Sequence, residues 1–280
     1  MSKKNIGHVL ITGASSGLGA AVARKLSKLG YVLTVAARTT SQLEQLAEEL
    51  NQSTQARVFP ITMDVSSWED VDLGTSDAFG RHGPFSGVVH CAGVLGPFGP
   101  ISRVSSTEWE NAIRTNLVGT FNLAKSISGK FREQESTFIT LSGGGATKPM
   151  PYMTSYAASK SGLVRFIESV ALDQEFGAVS CIVLAPGPMK TRMLDQILNQ
   201  DIATIGTHLH ELAQSSASKS TGNMDRAVDF IARFVEQPEL RLSGRLVSAV
   251  WDPWDEWLKG DFSALEHPDN FTLRRVVHEN

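Results

Sequence analysis

Apolar positions along the chain gather into seven short runs rich in Val, Ile and Leu. They are HVLITG from residue 8, YVLTVAA from 31, RVFPITM from 57, GVVHCAG from 87, TFITLS from 137, SCIVLAP from 180 and GRLVSAV from 244. Runs this short and this continuously apolar predict strands buried on both faces. Between them, residues 17–29, 41–50, 67–80, 108–132, 156–175 and 225–236 repeat their apolar positions at helical spacing. Thr107 with Glu110 reads as a capping box that opens the fourth helix. Strict alternation of strand and helix predicts the α/β class: one doubly wound domain with a mostly parallel, seven-stranded sheet and a ligand crevice at the carboxyl ends of its strands. No linker or repeat divides residues 1–250. Residues 251–280 are expected to form a tail packed on that domain or on a neighbouring subunit, and residues 188–222, polar and loosely patterned, read equally as a lid over the crevice or as an ordinary surface loop.

Composition narrows the classes. The chain has 280 residues, 41% of them hydrophobic, enough for one large core. With 26 basic and 29 acidic residues the net charge is −3, and no Lys/Arg run forms a local basic stripe, so nucleic acid is not an expected partner. Two cysteines, Cys91 and Cys181, make neither a disulfide framework nor a metal-ligand pattern, which points to a reducing cytoplasm. The basic start MSKKNI precedes an apolar stretch too short for a signal peptide, and no run reaches membrane-spanning length. A soluble protein without a membrane partner is expected. His208 and His210, two apart, would face different ways on a helix, and no metal site is expected.

Two stretches carry chemistry. TGASSGLG, residues 12–19, closes the first strand and opens an amphipathic helix. Glycines at 13, 17 and 19 let the backbone turn sharply and bring amide groups and a helix N-terminus to a pyrophosphate. In YMTSYAASK, residues 152–160, Tyr156 and Lys160 stand four apart. On a helix they share a face and present a phenol and an ammonium to one point.

Taken with CAG at 91–93, NLVG at 116–119, Ser142 after the fifth strand and PGPMKT at 186–191, these motifs resemble the short-chain dehydrogenase/reductase family, in its short single-domain branch. The motifs follow the family's order and cover most of the chain. The resemblance implies a Rossmann-like fold and an NAD(P)-dependent oxidoreductase that interconverts an alcohol and a ketone or aldehyde by hydride transfer. It implies cofactor contacts from Gly13, Ser15, Ser16, Gly17, Leu18 and Gly19, and from Asp64 and Val65 at the adenine, where Asp64 could instead simply cap the next helix. Ala92 and Gly93 would line the ribose. Pro186, Gly187, Met189 and Thr191 would hold the nicotinamide carboxamide. Cys91 stands where the family commonly has asparagine. At the end of the second strand Ala37 and Arg38 leave a cation and no carboxylate, which favours NADP over NAD.

For the reaction, the resemblance implies Tyr156 as acid/base and Lys160 as the group that tunes it and binds the nicotinamide ribose. A close ammonium is expected to pull the phenol well below its usual pKa of about 10, at roughly 4 kcal/mol. Ser142 would orient the substrate oxygen, and Asn116, in a helix kinked near Gly119, would free a carbonyl for a proton relay. One spacing departs from the family: Ser142 and Tyr156 lie 14 apart, one more than usual, and an ungapped alignment puts Gly143 in the serine's place. The expectation is that the GGG run at 143–145 absorbs the extra residue and leaves Ser142 in position. The alternatives are a non-catalytic NADP-binding regulator, or an isomerase or dehydratase that recycles its cofactor. The family also implies a homodimer or homotetramer. Met150, Tyr152, Met153, Met189 and Met193 suggest a largely apolar pocket for the small-molecule carbonyl or alcohol substrate. The tryptophans of WDPWDEW, 251–257, read as tail packing rather than as a substrate wall.

Overall fold

A computed structural model describes residues 7–218 and 220–274, so the basic start MSKKNI lies outside the described residues. All seven predicted strands are present: β1 His8–Thr12, β2 Val32–Ala37, β3 Val58–Thr62, β4 Phe85–His90, β5 Ser136–Leu141, β6 Val179–Ala185 and β7 Leu246–Ser248. Every pairing is parallel, in the order β3-β2-β1-β4-β5-β6-β7. The chain therefore starts in the middle of the sheet, winds out to β3, and returns to wind out the other way from β4. The reversal between β1 and β4 opens the crevice at their carboxyl ends.

The α-helices are α1 Gly17–Lys28, α2 Thr40–Ser53, α3 Trp68–His82, α4 Ser106–Ile113, α5 Gly119–Ile127, α6 Thr154–Val170, α7 Arg192–Leu198, α8 Ile202–Ser218, α9 Asn223–Glu236 and the single turn α10 Trp254–Trp257. Two hydrophobic layers sandwich the sheet. On one side α1, α2 and α9 bury Val22, Leu26, Leu43, Phe230 and Phe234 against Val9, Ile11 and Ile182. On the other, α5 and α6 bury Leu123, Ile127, Val164 and Ile167 against Leu10, Val88 and Phe138. Residues of successive parity in each strand serve opposite layers, which is why the strands read as continuous apolar runs.

Three expectations about elements change. The fourth helix begins with Ser105, whose hydroxyl accepts the Glu108 N–H at 3.4 Å, so the capping pair lies two residues before Thr107 and Glu110. That helix is interrupted by a π-turn over Arg114–Val118. The segment 188–222 is largely helical, as α7 and α8, with a break in α8 at Gly206, whose φ is 74°. After Val250, Trp254 and Trp257 are buried in the layer that holds α9, and the Trp254 indole donates to the Ala249 carbonyl at 2.9 Å. Trp251 stays outside at 71% exposure, so the three tryptophans do not act as one surface.

Candidate functional site

The phosphate-binding turn is shaped by what its glycines lack. A β-carbon on Gly13, at φ 67°, would meet the Ala92 nitrogen at 2.6 Å, and one on Gly19 would meet the Gly13 oxygen at 2.5 Å. Both positions must be bare for the turn, the loop after β4 and the start of α1 to pack together. Gly17, also at positive φ, has nothing nearer its added β-carbon than Thr191 at 3.8 Å, so its open side faces space. That space is a cleft of about 1120 Å³. Of the residues expected at the cofactor, Gly13, Ser15, Ser16, Gly17, Leu18, Gly19, Arg38, Asp64, Val65, Ala92, Gly93, Met189 and Thr191 line this cleft, whereas Tyr156, Lys160, Pro186 and Gly187 do not. Gly187 has another constraint: at φ 79°, a β-carbon there would run into Val250 at 2.6 Å.

Arg38 is exposed at the cleft rim and makes no ion pair among the described residues. Asp64 engages the backbone as a turn: its Oδ1 accepts the Ser66 N–H at 2.9 Å and hydroxyl at 2.7 Å. Its own N–H donates to Asp70 at 3.1 Å, while Ser67 rather than Asp64 or Ser66 caps α3. The geometry suits a dinucleotide: bare glycines and the N-terminus of α1 at one end, and a cation at the β2 rim. Among the described residues no His/Cys/Asp/Glu group could hold a metal ion, and no helix is long and apolar enough to cross a membrane.

Tyr156 and Lys160 do share one face of α6, with the ammonium nitrogen 5.8 Å from the phenol ring centre. Lys160 is buried and donates to the Leu141 carbonyl at 2.8 Å, at the end of β5. It lies against the cofactor loop too, 3.7 Å from where a Gly93 β-carbon would stand. The expected depression of the phenol pKa is not what this arrangement gives. Burial pushes Tyr156 up to about 12, and burial pulls Lys160 down to about 8. An ammonium engaged with a carbonyl and set off from the ring does not offset the loss of water around the phenol.

Asn116 is fully buried inside the π-turn and works as a strap. Its amide donates to the Val94 carbonyl at 2.8 Å and to Ser159 Oγ at 2.9 Å, and its Oδ1 accepts the Val94 N–H at 2.8 Å. The Ser159 hydroxyl in turn donates to the Tyr156 carbonyl at 2.8 Å. One side chain thus ties the loop after β4 to the Tyr156 turn of α6. The predicted kink is real, and the Asn116 carbonyl accepts the Thr120 hydroxyl at 2.7 Å, which leaves one of its two lone pairs open.

The serine expectation fails. The glycine run makes no outward bulge: Gly143 is extended, and residues 144–146 form a 3-10 turn behind it. It is Gly143 that faces the catalytic phenol, because a β-carbon there would lie 2.1 Å from the Tyr156 oxygen. Ser142 instead continues the sheet, its N–H donating to the Leu184 carbonyl at 2.8 Å, and its hydroxyl is buried without a partner. It makes no hydrogen bond to Tyr156. Backbone hydrogen bonding to β6 extends one residue past the assigned strand and fixes this register, outweighing any slack in the glycines.

The sequence left residues 188–222 open between a lid and a surface loop, and it named Met150, Met153 and Met193 for an apolar pocket. Leu95, Met153, Ile205 and Leu209 form a separate apolar cluster, with Phe98, Met150, Tyr156, Met193 and Ile197 packed on it. Met193 and Ile197 of α7 and Ile205 and Leu209 of α8 therefore pack in one cluster with Tyr156. Ile205, Leu209 and Ala213, four apart and all buried, were the signal in the sequence. Tyr152, at φ 65°, packs its ring on the Gly206 break, where a β-carbon would come within 2.9 Å.

With this geometry in hand, comparison with known proteins is consistent across sequence and structure. The short chain dehydrogenase family profile matches residues 7–202. Among curated relatives, a 2,3-dihydro-2,3-dihydroxybenzoate dehydrogenase from Bacillus subtilis (strain 168) is 32% identical over 185 residues, covering 65% of this chain and 70% of that one. Two similar solved structures are an actinorhodin polyketide ketoreductase with NADPH and an NAD+-bound xylitol dehydrogenase. The first has a TM-score of 0.77 at 22% identity, over 89% of this chain and 97% of that one. The second has a TM-score of 0.77 at 19% identity, over 88% and 98%. The chain belongs to the short chain dehydrogenase family, whose members are oxidoreductases using nicotinamide dinucleotides. Both solved structures share its Rossmann-like fold.

Proposed function

We propose that the protein is an NADP(H)-dependent carbonyl reductase acting on small apolar ketones or aldehydes, with Tyr156 as the proton donor. The observation that carries this reading is the placement of Tyr156 and Lys160 on one face of α6, under an apolar cover and against the Gly93 loop of the dinucleotide cleft. Bound in that cleft, the nicotinamide cofactor supplies a hydride to the carbonyl carbon. Gly13, Ser15, Ser16, Gly17, Leu18 and Gly19 would receive its pyrophosphate. Asp64, Val65, Ala92 and Gly93 would receive the adenosine half, and Met189 and Thr191 the nicotinamide end.

Arg38 supports NADP: a guanidinium at the end of β2 matches a 2′-phosphate, and Ala37 and Thr39 beside it offer no carboxylate to take the ribose hydroxyls. Raised by burial to about 12, the Tyr156 phenol keeps its proton at neutral pH and is the group placed to give it to a developing alkoxide. Lys160 then stabilises the phenolate left behind, and Asn116 holds α6 and the cofactor loop in register. The apolar side chains packed around the phenol suit an apolar substrate. Phe121, 46% exposed and edge-on to Phe166 at 6.3 Å, leaves an apolar face on α5 and α6 that suits pairing with a second copy, as a dimer or tetramer.

A second reading, a dinucleotide-binding regulator without turnover, is favoured by one observation, the absence of a serine hydroxyl at the phenol. Initial rates of NADPH consumption with alkyl aryl ketones and with 2-oxo acids separate the readings. Reduction of the ketones in preference to the acids is expected; NADPH binding without consumption supports the regulator.

A further inference from the structure

In a parallel strand, successive residues turn their N–H and C=O groups to opposite neighbours. Ser142 turns its N–H to β6, where Leu184 accepts it at 2.8 Å. Gly143 follows in extended backbone, φ −163° and ψ 174°, and continuing the strand's alternation from Ser142 puts its N–H on the other side, toward β4. But β4 has ended: its last residue, His90, is opposite Thr140. Past that pair, the groups on this side of β5 have no strand to bond. Leu141 shows where they point, since its carbonyl accepts Lys160 Nζ at 2.8 Å and the residue lines the cleft. The Gly143 N–H donates to no acceptor among the described residues. It sits on the residue whose added β-carbon would lie 2.1 Å from the Tyr156 oxygen.

We infer that the Gly143 main-chain N–H donates the second hydrogen bond to the substrate carbonyl oxygen, beside the Tyr156 hydroxyl. This rests on the carbonyl-reductase reading and supplies what the missing serine hydroxyl would have done. The carbonyl carbon gains the hydride, and the C=O π pair becomes an oxygen lone pair that takes the Tyr156 proton. The product leaves as an alcohol and the tyrosine remains as phenolate. The amide keeps its own proton throughout and stabilises charge as it grows on the oxygen. A backbone donor is pre-set by the sheet, so it costs no side-chain ordering when substrate arrives. It also explains a bare residue at 143: any side chain would displace the phenol that shares the oxygen.

The direct test replaces glycine 143 by glycolic acid through semisynthesis, exchanging the amide N–H for an ester oxygen and changing no side chain. The ester protein is expected to lose about 10²-fold in kcat/KM with ketones, with NADPH affinity unchanged. Ser142→Ala is expected to stay within about threefold of native. In the native protein labelled with 15N-glycine, oxidised NADP with acetophenone, a dead-end pair, should shift the Gly143 amide proton downfield. The ester protein identifies that resonance by lacking it. Native turnover with an ester protein of near-native rate, or a Gly143 resonance indifferent to acetophenone, overturns the amide assignment alone. Absence of both ketone turnover and any shift in the native protein overturns the carbonyl-reductase reading with it.

Discussion

Lys160 Nζ lies 2.8 Å from the Leu141 carbonyl oxygen, in a site where the lysine is only 5% exposed. Burial lowers its pKa from 10.5 to about 8. The folded protein thus binds fewer protons than the unfolded chain between those values, and stability rises with pH across that window. Below about pH 8 the full cost is present, roughly 3 kcal/mol from the linkage of pKa to folding. Replacing the ammonium with an apolar chain removes that cost and loses one hydrogen bond. Lys160→Met is therefore expected to melt higher than native at neutral pH while losing turnover, and the difference should shrink as pH rises toward 10.5. Thermal melts across that range check it; a variant less stable than native at pH 7 would contradict the prediction.

Two buried histidines set the acid limit. Burial lowers His8 to about 4 and His90 to about 3, from 6.5. His90 Nδ1 is 2.7 Å from Thr12 Oγ1, and His8 Nε2 is 2.9 Å from Thr34 Oγ1. Below 6.5 the unfolded chain takes up protons that the folded chain refuses, so stability falls as pH drops. By about pH 5 the loss is about 2 kcal/mol for each histidine. Urea midpoints at pH 7.5 and 5 measure it, and His90→Asn should remove about half of the fall. A midpoint that does not move between these pH values would defeat the prediction.

Cofactor choice turns on Arg38. Arg38→Asp places a carboxylate where the ribose hydroxyls of NAD would bond and where a 2′-phosphate would be repelled. Fluorescence titration should show NADPH binding tighter than NADH in the native protein and the order reversed in the variant, each preference being at least about tenfold. Equal native affinities would remove the case for NADP.

What the sequence disclosed depended on how strongly local pattern and tertiary packing agreed. The strands were legible because Val, Ile and Leu on both parities can only be buried on both faces of a parallel sheet, as in Val9, Leu10 and Ile11, none of which is exposed. The dinucleotide turn was legible because Gly13 and Gly19 are demanded by backbone contacts under 3 Å. For 188–222 the sequence could not choose between lid and surface loop, since α8 has only Ile205, Leu209 and Ala213 buried amid His, Gln and Ser, and Ile205 and Leu209 pack in the Tyr156 cluster rather than on the sheet. Gly143 was misjudged for another reason: the ungapped spacing did put it in the serine's place, and the assumed slack of the glycine run overrode that. Glycine content says only that a loop can bulge, whereas the hydrogen bond from Ser142 to Leu184 holds this segment in register with β6. Likewise, i and i+4 spacing placed Tyr156 and Lys160 on one face but carried no information on burial, which decides both pKa values.

The account stands on Tyr156 as the proton donor, and a single comparison tests it most directly: kcat/KM for NADPH-dependent ketone reduction by the native protein and by Tyr156→Phe, with NADPH affinity measured alongside. Phenylalanine keeps the ring in the apolar cluster and removes only the hydroxyl. The account predicts a loss of at least about 10²- to 10⁴-fold in turnover with NADPH binding unchanged. Turnover by Tyr156→Phe at a rate close to native would contradict it.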